Sequence, residues 1–172
     1  MHRVLVIGSG GAGKSTFAAR LAQHTSLPLI HLDALYWQPG WRETPKQEWM
    51  ATVERLISGE RWVMDGNYGG TLEQRLAACD TVVFLDVPRI VCLWRATKRR
   101  IRFHRRSRPD MRAGCPERLT WEFVRWIWKY PVDRRPKILQ RLSVLDAGPR
   151  IIVLRSPIEV DEFFRALSRQ QD

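Results

Sequence analysis

The chain has 172 residues, 44% hydrophobic and 27% charged, a balance that suits one compact globular domain and excludes intrinsic disorder. Its 29 Lys and Arg against 18 Asp and Glu leave a net charge of +11, so the expected partner is anionic: nucleotide phosphates, nucleic acid or a membrane surface. Cys79, Cys92 and Cys115 form no CxxC or His/Cys grouping, and neither a signal peptide nor an 18-residue apolar run occurs, which argues against a disulfide framework, a zinc site and membrane insertion and predicts a cytoplasmic protein.

In chain order, Val4-Leu5-Val6-Ile7 is an unbroken apolar run ended by Gly8, the pattern of a strand buried on both faces and hence of a parallel sheet. Phe17, Ala18, Leu21 and Ala22 recur at helical spacing, and Leu29-Ile30-His31-Leu32 reads as a second strand ending at Asp33, completing a βαβ unit. Thr44-Pro45-Lys46-Gln47 has the form of a capping box, predicting a helix with Trp49, Val53, Leu56 and Ile57 on its apolar face. Trp62-Val63-Met64 is a third strand ending at Asp65, Thr71-Leu72-Glu73-Gln74 predicts another capped helix, and Thr81–Leu85 is a fourth strand ending at Asp86.

The next predicted helix carries Ile90, Leu93, Trp94, Thr97 and Ile101 on one side and Arg95, Arg99, Arg102 and Arg106 on the other, at spacings of four, three and four. Turn residues mark a loop over 107–116. Thr120 to Tyr130 predicts a helix packed through Trp121, Trp126 and Trp128 and broken by Pro131. A helix over about 135–145, a fifth strand Ile151–Leu154 and a last helix Ile158–Ser168 follow. The positive charge is local: eleven Lys or Arg and two acids lie between Arg89 and Arg118, so nine of the eleven surplus charges sit there.

Gly8-Ser9-Gly10-Gly11-Ala12-Gly13-Lys14-Ser15 fits G-x-x-x-x-G-K-[ST], placed after a buried strand and opening a helix. Glycines let successive N–H groups turn around phosphate oxygens, and the helix N-terminus adds partial positive charge. Lys14 can reach the β- and γ-phosphates, while the Ser15 hydroxyl, followed by Thr16, can bind Mg²⁺. Asp33, Asp65 and Asp86 end successive strands, where open α/β sheets bind ligands. Asp65 is the expected second metal-holding carboxylate.

Asp65-Gly66-Asn67-Tyr68, Phe84-Leu85-Asp86-Val87-Pro88 and the paired Arg95 and Arg99 resemble the P-loop kinases of the adenylate kinase type, with Asn67-Tyr68 standing where those enzymes carry Phe-Pro. His31-Leu32-Asp33-Ala34-Leu35-Tyr36-Trp37, Asp65-Gly66-Asn67-Tyr68 and Gly114-Cys115-Pro116-Glu117-Arg118 together resemble, more closely, the DNA topology modulation or FlaR-like proteins. The resemblance implies a three-layer α/β/α P-loop kinase fold over residues 1–172. Its five-strand parallel sheet would run in the order 2-3-1-4-5, with a short substrate insert at about 34–60 and a basic helical lid at about 95–135.

These features lead to an ATP- and Mg²⁺-dependent phosphotransferase acting on a small acceptor, a nucleotide or nucleoside among the candidates. Lys14, Arg95 and Arg99 are expected to stabilise the transferring phosphoryl, and Asp33 to act as base or substrate ligand. Asp33, Tyr36, Trp37, Arg42, Asn67 and Arg75 are the expected acceptor ligands. Aromatic packing is the alternative for Tyr36, Trp37 and Trp41. The alternative for the whole chain is a nucleotide-regulated nucleic-acid-binding protein whose basic window grips a phosphate backbone.

Overall fold

The computed structural model describes residues 1–145 and 148–169. Strands β1 (Arg3–Gly8), β2 (Leu29–His31), β5 (Trp62–Asp65), β6 (Thr81–Leu85) and β7 (Arg150–Leu154) form a parallel sheet in the order β2-β5-β1-β6-β7. Numbered among themselves, these strands have the expected order 2-3-1-4-5. A two-stranded antiparallel hairpin, β3 (Trp37–Gln38) and β4 (Arg42–Glu43), stands apart from the sheet. The helices are α1 (Lys14–Thr25), α2 (Leu32–Tyr36), α3 (Lys46–Ile57), α4 (Leu72–Ala78), α5 (Arg89–Arg102), α6 (Trp121–Asp133), α7 (Arg135–Ser143) and α8 (Pro157–Ser168).

The unbroken apolar run of β1 follows from two buried faces. Val4 and Val6 enter one core with Phe17 and Leu21 of α1, Ile127 of α6 and Phe164 of α8, while Leu5 and Ile7 enter the other with Trp49 of α3, Leu76 of α4 and Ile138 of α7. Each such side chain contributes about 1.5–3 kcal/mol on burial, so a charged residue in place of Val4, Leu5, Val6 or Ile7 would be costly. The register aligns Gly8 with Leu85, Val6 with Asp65, and His31 with Asp65. The carboxyl ends of β1, β2, β5 and β6 therefore meet at one edge, where the glycine-rich loop leaves β1.

Several local expectations yield to tertiary contacts. Thr44 caps nothing: its hydroxyl is buried and donates to the Tyr36 carbonyl at 2.6 Å, closing the hairpin. Thr71 likewise donates to the Tyr68 carbonyl at 3.2 Å instead of capping α4. The second strand ends at His31, so Asp33 lies in the first turn of α2. Helix α5 ends at Arg102, which takes Arg106 off the predicted arginine stripe.

Pro131 does not stop α6, which runs on to Asp133. A proline there costs about 3 kcal/mol, but the flanking Ile127 and Tyr130 are 0% and 5% exposed, and their burial offsets it. The packing face of α6 is Phe123, Trp126, Ile127 and Tyr130; Trp121, expected inside, is 74% exposed and Trp128 46%. Residues 34–60 fold as most of α2, the hairpin and α3, and residues 95–135 as the second half of α5, a connecting segment and α6.

Candidate active site

A cleft of about 1800 Å³ opens over the carboxyl edge of the sheet. Its floor is the glycine-rich loop. Gly11 has φ +79°, and a Cβ there would stand 2.1 Å from the Cys92 carbonyl oxygen, so no other residue fits that turn. Lys14 Nζ donates to the Ser9 carbonyl at 3.0 Å, Arg95 reaches across from α5 to the Ala12 carbonyl at 3.0 Å, and Gly13 precedes the first turn of α1. Gly10, Gly11, Ala12, Gly13, Lys14, Ser15 and Thr16 all line the cleft. Phe123 and Trp126 of α6, stacked 5.9 Å apart, roof Gly10 so closely that a Cβ there would lie 2.6 Å from the Phe123 ring.

Asn67 serves the loop rather than reaching for an acceptor with its amide: Nδ2 donates to the Gly8 carbonyl at 2.8 Å, and Oδ1 accepts from Gly8 N at 3.2 Å. This reciprocal pair holds the start of the loop against the end of β5.

The three aspartates expected at strand ends separate. Asp33 lines the cleft and accepts from the Tyr68 hydroxyl at 2.6 Å. Asp86 is spent on Arg135, whose Nε and Nη2 each donate to one carboxylate oxygen at 2.8 Å. Asp65, expected beside the metal, is 4% exposed and accepts from His31 Nδ1 at 2.6 Å; His31, not Asp65, lines the cleft. Ser15 and Asp33 line the same cleft as Lys14, and the Ser15 hydroxyl is an oxygen of the hard type that Mg²⁺ takes. Burial pushes the Lys14 ammonium pKa down, Asp33 and Asp65 oppose that shift, and Arg99 adds to it.

The bond to Asp65 raises the His31 pKa above its ordinary 6.5, against the opposing effect of burial. A histidine raised on folding contributes stability fully below its unfolded pKa and loses it as pH climbs through the folded value. The stability gap between the parent and His31→Gln should thus be largest near pH 5.5 and narrow toward pH 9 by about 1 kcal/mol, the advantage of a charge-assisted hydrogen bond over a neutral one. Thermal melts of both proteins across that range check this; a gap independent of pH would show that the pair carries no charge.

On the acceptor side, Tyr36, Trp37 and Trp41 line the cleft. Tyr36 also packs edge-on to Trp37 and Trp49 and tilted against Tyr68, so this wall is at once core packing and cleft surface. Two expected ligands are elsewhere. Arg42 is exposed on β4 and is absent from the cleft wall. Arg75 is fully buried, donating to the carbonyls of Gly66, Asn67, Tyr68 and Thr71; it holds the β5–α4 segment and cannot reach solvent.

Folding adds a second stripe that the motifs do not mark. Tyr130, Arg134, Lys137 and Arg141 line the cleft from α6, the junction after it and α7; their spacing of four, three and four is as legible as that of the α5 arginines. Arg141 pairs with Glu73 at 2.8 Å, whereas no ion pair engages Arg134 or Lys137 among the described residues. The Tyr130 hydroxyl is buried without a hydrogen-bond partner. Unpaired cations beside an unsatisfied hydroxyl have the chemistry to receive an anion.

No protein-family model matches the chain and no curated protein is significantly similar to it. Among solved structures, it resembles a shikimate kinase from Acinetobacter baumannii in complex with shikimate, with a TM-score of 0.60 and 16% identity over 99% of this chain and 93% of that one. It also resembles a gluconokinase from Sinorhizobium meliloti 1021, with a TM-score of 0.56 and 20% identity over 98% and 93% of the respective chains. What the chain shares with both is the fold, a five-stranded parallel P-loop sheet with helices on both faces.

Proposed function

We propose that the protein is an ATP-dependent phosphotransferase whose acceptor is a small hydroxyl compound carrying an anionic group. The observation that carries this reading is one cleft lined by both Lys14 of the phosphate loop and Asp33, close enough for the Asp33 charge to oppose loss of the Lys14 proton. The two structural neighbours are named as kinases, one of them holding shikimate, and the motifs in this chain point to a FlaR-like member of the adenylate kinase group.

With Tyr68 holding Asp33 Oδ1, Oδ2 is left to take the proton of the acceptor hydroxyl. The acceptor oxygen then forms its bond to the γ-phosphorus, the bond to the β,γ-bridging oxygen breaks, and ADP leaves. Lys14 and the loop amides orient the phosphates, Arg95 and Arg99 meet developing charge, and the aromatic wall excludes water. Mg²⁺, held by Ser15 and the nucleotide, would neutralise phosphate charge. Arg134, Lys137 and the Tyr130 hydroxyl receive the acceptor's anionic end.

Matched acceptor pairs test this: a polyol against its aldonic acid, and a nucleoside against its monophosphate. ATP turnover should favour the anionic member of a pair. The double change Arg134→Ala with Lys137→Ala should raise its KM about tenfold or more while kcat changes little, and Asp33→Asn should lower kcat by about 10²–10⁴. Equal use of the neutral partner would remove the anion, and undiminished kcat in Asp33→Asn would remove the base.

A further inference from the structure

The segment Gly114-Cys115-Pro116-Glu117-Arg118 joins two parts of the cleft rim. On one side it is fastened to the β3–β4 hairpin. Gly40 N donates to the Gly114 carbonyl at 2.8 Å, Cys115 Sγ to the Gln38 carbonyl at 3.2 Å, and Trp41 Nε1 to the Pro116 carbonyl at 3.0 Å. The Arg118 guanidinium lies 4.6 Å from the Trp41 ring centroid. Gly114 adopts φ +85° against Pro39, whose Cβ would stand 3.0 Å from a Cβ added there, so the close approach depends on glycine.

On the other side is Glu117, 4% exposed. Its Oε1 accepts from Arg99 Nε at 2.9 Å, and its Oε2 lies 2.6 Å from Arg108 Nε, while Arg108 also pairs with Asp110 at 2.9 Å. Two arginines and two carboxylates balance, so this part of the basic window is internally neutral. The form of the Arg99 bond matters most. It uses Nε and leaves both terminal nitrogens without a protein partner among the described residues, on a side chain that lines the cleft and acts electrostatically on Lys14. Ordering a free arginine side chain costs rotamer entropy; a buried carboxylate on Nε supplies that order in advance and keeps the donor fork open.

We infer that Glu117 is a positioning residue for phosphoryl transfer: anchored through the hairpin, it aims Arg99 at the transferring phosphoryl. The inference rests on the phosphotransferase reading. Its test needs no acceptor: binding of MgADP with aluminium fluoride, which mimics the transferring phosphoryl, is compared with binding of a non-hydrolysable ATP analogue with Mg²⁺.

Glu117→Gln should weaken the mimic about tenfold or more and the analogue less than about threefold, because a preoriented donor acts on developing charge. Adding Glu117→Gln to Arg99→Ala should bring no further loss, since Glu117 acts through Arg99. Should the Gln variant melt too low to assay, Glu117→Asp keeps the charge, draws it back by one methylene and should show the same selective loss. Equal weakening of both ligands, additive losses, or an Asp variant that binds like the parent would overturn the inference alone. A parent that binds neither ligand would remove the phosphotransferase reading and the inference with it.

Discussion

Arg75→Ala is expected to destabilise the protein by about 3–5 kcal/mol, a large share of the roughly 5–15 kcal/mol that holds a domain together, and to lower Tm by about 6–20 °C. Arg75 is 0% exposed, and burial pushes its guanidinium pKa down to about 10. Its donors satisfy the carbonyls of Gly66, Asn67, Tyr68 and Thr71. Alanine would leave a cavity, at about 2–5 kcal/mol, and buried acceptors without partners, at about 1–3 kcal/mol; relief of the desolvated charge offsets part of this.

The same carbonyls belong to a segment with φ +139° at Gly66 and +29° at Tyr68, and the second costs energy that the surroundings must supply. Because Tyr68 holds Asp33 and Asn67 holds Gly8, loosening this segment should also lower turnover. Arg42→Ala, in contrast, should shift stability by less than about 0.5 kcal/mol. Thermal melts of both variants decide the matter: a stable Arg75→Ala that only raises the acceptor KM would restore Arg75 as a ligand.

Lys14→Met is expected to lower turnover by about 10²–10³ or more, the scale of losing one preorganised charge at a phosphoryl group, without lowering Tm. The ammonium meets only the Ser9 carbonyl among the described residues, and its burial disfavours the charged form. A partly desolvated charge whose cost the Asp33 and Asp65 carboxylates offset only in part does not add to stability, so the apolar variant should melt at the same temperature or slightly above. This opposition of stability and activity marks a group retained for chemistry. Turnover and Tm measured on the same preparation check it; a variant that loses both would make Lys14 part of the scaffold.

The amino-acid sequence by itself determined the sheet and the phosphate loop. The short, largely β-branched run Val4–Ile7, stopped by Gly8, reads as a strand covered on both faces, and the pattern Gly8 to Ser15 forms a phosphate cradle between such a strand and a helix. Both signals are local, so they survive without knowledge of the rest of the fold. The tasks of the polar side chains were decided by tertiary structure, because such a task depends on what lies within about 3 Å of the group.

Asp33, Asp65 and Asp86 are equivalent in sequence, each ending a predicted strand. Tyr68, His31 and Arg135, which lie 35, 34 and 49 residues away from them in turn, give them three different roles. Arg42 and Arg75 are alike in sequence, and burial separates them. The tryptophans of α6 divide between core and solvent because an amphipathic pattern rich in aromatics has no single apolar side, and only the contact with Gly10 and the two cores selects one. Charge shows the same division: composition places nine surplus positive charges in one window, and only folding reveals that Glu117 and Asp110 neutralise two of its arginines while Arg134 and Lys137, outside it, stand in the cleft with no ion pair among the described residues.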